Sequence, residues 1–91
     1  DVIIAPNSPI TAFKLKERID DPIKMYLSDI YTISANLAGI PGIAIPCGIS
    51  KKDGMPIGLQ LMSRHFDEES LFAVGHHFQK NTDHHLQQPP L

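Results

Sequence analysis

The sequence has little of what marks several classes of protein. Cys47 is its only cysteine, so no disulfide can form within the chain, which is typical of a reducing compartment. The net charge of −2 and the eight scattered Lys and Arg residues provide no basic surface for nucleic acid or an anionic membrane. No apolar run approaches the roughly 18 to 20 residues of a membrane span, and no signal-peptide pattern is present. We therefore expect a cytoplasmic or organelle-matrix location.

The signatures of a self-contained active site are also missing. The serines show neither a Gly-x-Ser-x-Gly nor a Ser-x-x-Lys arrangement, and the glycines do not match a dinucleotide or phosphate loop. His76 and His77 are helix neighbours with no metal-ligating partner four residues away. Cys47 ends an apolar segment, which favours a small buried hydrophobe over a nucleophile. The sequence thus predicts no catalytic residue and no metal ligand.

The chain contains instead a series of short strands and helices with clear start and stop residues. Val2–Ala5, ended by Pro6, predicts a short buried strand, and residues 10–19 predict a loop. Asp21 and Pro22 are typical of a helix N-cap and first helical residue. An apolar face follows at helical spacing: Ile23, Tyr26, Leu27 and Ile30.

The middle of the chain predicts a second helix and a β-hairpin. Residues 32–38 form the helix, with Thr32 as a possible N-cap and Gly39 as its left-handed end. Gly42 to Ile49 is apolar on both alternating faces, which predicts a strand buried on both sides, with its pairing interrupted at Pro46. Asp53-Gly54 marks the hairpin turn, and residues 57–62 form the returning strand.

The last helix begins at Asp67, an N-cap followed by two carboxylates in the first turn. Its predicted buried stripe is Leu71, Val74, Gly75 and Phe78. Residues 84–91 predict a surface tail.

These elements predict an α/β fold with a mixed sheet flanked by helices. A strand–helix–strand unit favours a parallel pair, and the hairpin adds an antiparallel neighbour. A strand that is apolar on both faces needs cover on both sides, which so few elements cannot easily supply. We therefore expect a fragment of a larger domain that self-associates when isolated.

Asp29 is the most informative single residue. It falls late in the first predicted helix, where the partial negative charge of the helix end disfavours a carboxylate. A cationic partner would offset this cost. From the residues alone, a solvated carboxylate or a local salt bridge remains an alternative.

Three long strings then point to a family: DVIIAPNSPITAF, DDPIKMYLSDIYTISANLAGIPGIAIPCG and GMPIGLQLMSRHFDEESLF. Together they resemble the C-terminal part of amidase-signature enzymes, and among these the A subunits of tRNA-dependent amidotransferases. The resemblance implies that residues 1–91 are part of a single amidase domain that releases ammonia from glutamine. It also implies partner B and C subunits, with tRNA bound only by the complex. ATP and Mg would be used through one of these partners.

In that family a serine nucleophile, a serine in a cis peptide and a lysine perform the chemistry, and the resemblance places all three outside this sequence. One substrate contact carries over: Asp29 matches the aspartate that holds the α-amino group of glutamine. Two alternatives stay open. One is a stand-alone amidase acting on another amide, and the other is a short interaction module without chemistry.

Overall fold

The computed structural model describes residues 1–17 and 21–88, and the predictions for residues 18–19 and 89–91 lie outside this part. No helix among the described residues is long and apolar enough to cross a membrane. The elements in chain order are β1 (Ile3–Pro6), α1 (Pro22–Ser28), α2 (Ile33–Ala38), β2 (Gly42–Ile49), β3 (Pro56–Met62), α3 (Glu68–Lys80) and a 3-10 helix (His84–Leu86).

The three strands form one sheet in the order β1-β3-β2. Both pairs are antiparallel, with Ile3 opposite Met62 and Gly42 also opposite Met62. The predicted parallel pair is therefore wrong, and the described sheet is antiparallel rather than mixed. β1 and β2 do run in the same direction, but they are not neighbours. The hairpin strand β3 lies between them and pairs with β1 along one edge and with β2 along the other. The combination of helices with this sheet is compatible with an α/β class.

The predicted interruption at Pro46 is confirmed. The β2–β3 register shifts between Pro46, which pairs with Gly58, and Gly48, which pairs with Ile57, so Cys47 is the extra residue of a bulge. The prediction that β2 is buried on both sides is wrong for the described residues. Ile45 is buried, but its neighbour Ala44 is exposed on the opposite face.

The core lies on the face of the sheet that α3 covers. Ile45, Leu61 and Leu71 are its buried members, and Val2, Ile43, Leu59 and Phe78 pack against them. Within the predicted stripe of α3, Leu71 and Gly75 are buried whereas Val74 is exposed. Because side chains alternate along a strand, Gln60 between Leu59 and Leu61 points to the opposite face, toward Tyr31 and α2.

The predicted helix signals are confirmed at three residues. Asp21 accepts hydrogen bonds from the N–H groups of Ile23 and Lys24 at the start of α1. Asp67 accepts one from the N–H of Ser70 at the start of α3. Gly39 ends α2 with a φ of 71°. Thr32 occupies the N-cap position of α2, but its hydroxyl donates to the carbonyl of Asp29 instead of capping the helix.

Much of the apolar surface is uncovered. The predicted apolar face of α1 is exposed, and so is the predicted buried strand β1, where Ile3 is 62% and Ile4 67% exposed. The accessible surface is 7178 Å², against about 5,300 Å² expected for a folded monomer of this mass. The chain measures 38 × 33 × 17 Å along its principal axes. That thickness accommodates a sheet and little more than one helical layer, since a helix is about 10 Å across.

Candidate functional site

Asp29 lies at the junction of α1 and α2. It is the C-cap residue of α1, with φ −103° and ψ 9°, and its N–H donates to the carbonyl of Tyr26. The Asp21 cap and Pro22 fix where α1 begins, so the seven-residue length of the helix places Asp29 at its end. The side chain is exposed.

Asp29 forms part of the wall of a cleft of about 530 Å³. Three segments line the cleft: the loop after β1, α1 with the residues that follow it, and the first residues of β3. The lining residues are 7–13, Met25, Ser28, Asp29, Thr32 and 56–58. The cleft is therefore mostly apolar, and polar groups enter it from Asn7, Ser8, Thr11, Ser28, Asp29 and Thr32.

A hydrogen bond between distant residues supports one side of this cleft. The Thr11 hydroxyl donates to Asp53 Oδ2 over 2.6 Å, which ties the loop after β1 to the β2–β3 turn. The backbone N–H of Met55 donates to Asp53 Oδ1 over 3.1 Å. The Thr11 hydrogen bond, and after it that of Met55, lowers the pKa of Asp53 below its ordinary value. The turn carboxylate is thus held ionised while it anchors a residue of the cleft.

The carboxylate of Asp29 has no partner among residues 1–17 and 21–88. Within these described residues, the ion pair joins Arg64 and Asp67 over 3.8 Å, in the loop before α3, and does not involve Asp29. The hydrogen bonds at Asp29 use its backbone N–H and carbonyl. An acidic group at a helix C-terminus interacts unfavourably with the helix dipole, so an added cation would be stabilised there. The arrangement suits an ammonium group in the adjoining cleft.

A second, smaller cleft of about 220 Å³ adjoins the first, since Asn7 and Thr32 line both. Gln60, which is 5% exposed, is part of its wall. Its Nε2 donates to the carbonyl of Tyr31 over 2.7 Å. This contact joins the central strand to the segment that carries Asp29.

Cys47 and the histidines do not line these clefts. Cys47 is half-buried in the β2 bulge. The Nδ1 of His65 lies 3.0 Å from the carbonyl of Gly39, and the ring of His84 stacks 6.3 Å from that of Phe78. No group of three or more His, Cys, Asp or Glu side chains within the described part of the chain is placed to hold a metal ion.

Sequence reasoning missed the contacts of Thr11, Gln60 and His65. Each joins residues more than 25 positions apart, so no local pattern marks it. A usable signal existed for Gln60. It is a lone amide in the apolar run Ile57–Met62, and a buried polar side chain requires a hydrogen-bond partner.

Comparison with known proteins agrees with the motif resemblance. The family model described as Amidase matches residues 1–72. The A subunit of glutamyl-tRNA(Gln) amidotransferase from Desulfatibacillum aliphaticivorans is 58% identical over 91 residues, which cover 100% of this chain and 19% of that protein. The protein of the same name from Legionella pneumophila subsp. pneumophila is 56% identical over 89 residues, 98% of this chain and 18% of that protein.

A third relative of this name, from Bacillus velezensis, is 50% identical over 91 residues, 100% of this chain and 18% of that protein. The chain spans about a fifth of the length of the curated relatives it matches. The family model covers most of the chain, and the resemblance carried by the sequence motifs is confirmed. The chain belongs to the amidase family.

Proposed function

We propose that this chain acts as the C-terminal part of the A subunit of a glutamyl-tRNA(Gln) amidotransferase. The parent protein hydrolyses glutamine and supplies ammonia for converting Glu-tRNA(Gln) to Gln-tRNA(Gln). Three relatives with this name match 98–100% of the chain at 50–58% identity, and this similarity carries the proposal. The B and C subunits are the partners, and tRNA is contacted through the complex.

The chemistry of the parent enzyme is assigned to residues outside this chain. The proposed nucleophilic serine, the second serine and the lysine belong to the rest of the amidase domain, and this chain supplies no catalytic residue. ATP and Mg are used by a partner subunit. The contribution of this chain is one side of the glutamine pocket.

Asp29 is the proposed substrate-binding residue. Its carboxylate adjoins a cleft, has no partner among the described residues and lies at a helix end that disfavours a lone negative charge. The α-ammonium of glutamine would be its partner, through a charge-assisted hydrogen bond. The side-chain amide would then lie farther along the pocket, where the residues of the remaining domain act on it.

The test uses the complete amidotransferase and the variant Asp29→Asn, which keeps the size of the side chain and removes its charge. Bound glutamine and the rest of the amidase domain would bury this charge pair in the complete enzyme. Loss of one partner of a buried charge pair costs roughly 2–5 kcal/mol, so kcat/KM for glutamine should fall by about 30-fold or more. Asp83→Asn is the matched control, because Asp83 precedes the 3-10 helix and makes no capping hydrogen bond.

Glutaramate, which is glutamine without its α-amino group, separates ammonium binding from a general defect. Asp29→Asn should leave kcat/KM for glutaramate unchanged. An unchanged kcat/KM for glutamine would refute the role of Asp29. Hydrolysis of other amides without B and C subunits would indicate a stand-alone amidase, and absence of ammonia release by the complete wild-type complex would favour an interaction module.

A further inference from the structure

Gln60 is a buried amide with a specific long-range contact. It lies in β3, the strand between β1 and β2, and is 5% exposed. Its Nε2 donates a hydrogen bond of 2.7 Å to the carbonyl oxygen of Tyr31, 29 residues earlier in the chain. A carbonyl oxygen can only accept, so the amide must present its NH2 group to Tyr31. The contact therefore depends on the donor that glutamine has and glutamate or methionine lacks.

The same contact fixes the turn that carries Asp29. The carbonyl of Asp29 accepts hydrogen bonds from the N–H groups of Thr32 and Ile33, each 3.1 Å long, and from the Thr32 hydroxyl over 3.2 Å. Residues 29–33 are thereby closed into a compact turn, and Tyr31 lies inside it. A displacement of the Tyr31 carbonyl would move the Asp29 backbone with it.

None of residues 21–33 is buried, although Ala35 in the helix that follows the turn is 8% exposed. The apolar side chains of α1 are exposed, and no residue of α1 is buried. Of the side-chain hydrogen bonds within the described residues, the one from Gln60 alone joins the sheet to residues 21–33. Gln60 lines the second cleft and not the cleft of Asp29, so it contacts the turn without contacting a ligand bound beside Asp29.

We propose that Gln60 is a positioning residue that holds the Asp29–Thr32 turn so that the Asp29 carboxylate faces the α-ammonium of glutamine. This inference rests on the proposed role of Asp29. It assigns a role to the lone amide of the apolar strand β3, where methionine would fill a similar volume and bury no polar group.

The test compares Gln60→Met with Gln79→Met in the complete amidotransferase. Gln79 is half-buried on α3 and makes no side-chain hydrogen bond among the described residues, so it provides the same exchange at a neutral position. The Gln60→Met variant should raise KM for glutamine by about 3- to 10-fold, the effect of one net hydrogen bond, with kcat nearly unchanged. KM for glutaramate should stay constant, because that substrate has no ammonium group.

A double-mutant cycle distinguishes positioning from a general loss of stability. If Gln60 acts through Asp29, Gln60→Met should have no further effect on glutamine KM in an Asp29→Asn background. Additive effects, or equal effects on glutamine and glutaramate, would overturn the inference. Asp29→Asn is therefore measured first. If it leaves kcat/KM for glutamine unchanged, the proposed role of Asp29 has failed, whatever the Gln60 variants show.

Hydrogen exchange provides a readout that does not need turnover. The amides of residues 29–33 should exchange faster in Gln60→Met than in Gln79→Met, while those of α3 remain protected. If Gln60→Met does not fold, Gln60→Leu serves as the second variant, since it also removes the donor and buries no polar group. Unchanged protection of residues 29–33 in a folded Gln60 variant would refute the anchoring.

Discussion

Produced by itself, the 91-residue chain should self-associate, because it exposes more surface than a folded monomer of its size. Its accessible surface of 7178 Å² exceeds the expected value of about 5,300 Å² by about 1,900 Å². A stable protein interface buries about 800 Å² per partner, so the excess is more than twice what one interface needs. The exposed apolar side chains of β1 and α1 are the groups that such contacts would bury.

Sedimentation velocity over a concentration series measures this association directly, and Ile4→Lys should reduce it. Ile4 is 67% exposed on a strand with one unpaired edge, where a charge disfavours pairing between chains. Leu15→Lys is the matched control, because Leu15 is 97% exposed but lies in the loop outside the sheet. A monodisperse wild-type monomer that melts cooperatively would contradict this reasoning.

Two further predictions concern local structure and are measured by urea unfolding of the chain, at a concentration below that at which the sedimentation series shows association. Gly39→Ala should lower the free energy of unfolding by roughly 1–2 kcal/mol, because φ at Gly39 is 71°, a conformation that is strained for alanine. No neighbour lies within 4 Å of a Cβ added at Gly39 or at Gly48, and Gly48 has no positive φ, so Gly48→Ala should cost little. Equal costs at the two positions would contradict this. The hydrogen bond from the Ser70 hydroxyl is the main cause of the lowered pKa of Asp67. Ser70→Ala should therefore lower the free energy of unfolding above about pH 4, and its difference from wild type should disappear as pH falls through the folded-state pKa of Asp67. A difference that does not depend on pH would contradict this.

The features that sequence predicts well here are those decided by neighbouring residues. Asp21, Asp67 and Gly39 bond or bend the backbone within one turn of a helix, so residue type and spacing suffice to place them. The Asp53-Gly54 turn likewise predicts the β2–β3 pairing, which determines two of the three strands.

Strand order and burial depend on distant contacts and are predicted less well. The choice of β3 as the partner of β1 requires residues more than 50 positions apart to meet, and nothing near β1 encodes it. The crossover rule places β1 beside β2, whereas the hairpin strand occupies that position. The apolar residues of β1 and α1 predict burial, yet the described chain provides no layer to cover them.

The candidate site shows the same division. The position of Asp29 at a helix end follows from local pattern, and its proposed role follows from family resemblance. The cleft beside it is assembled from three segments, held together in part by the Thr11–Asp53 and Gln60–Tyr31 hydrogen bonds. Neither pair has a spacing that sequence reasoning could use.

The most direct test of the proposed function is a crystal structure of the complete amidotransferase with glutamine bound. The proposal predicts the α-ammonium nitrogen of glutamine about 2.7–2.9 Å from an Asp29 carboxylate oxygen, the length of a charge-assisted hydrogen bond. It also predicts the side-chain amide directed away from this chain, toward the rest of the amidase domain. A glutamine whose ammonium group is held elsewhere, with Asp29 in solvent or paired to a protein side chain, would contradict it.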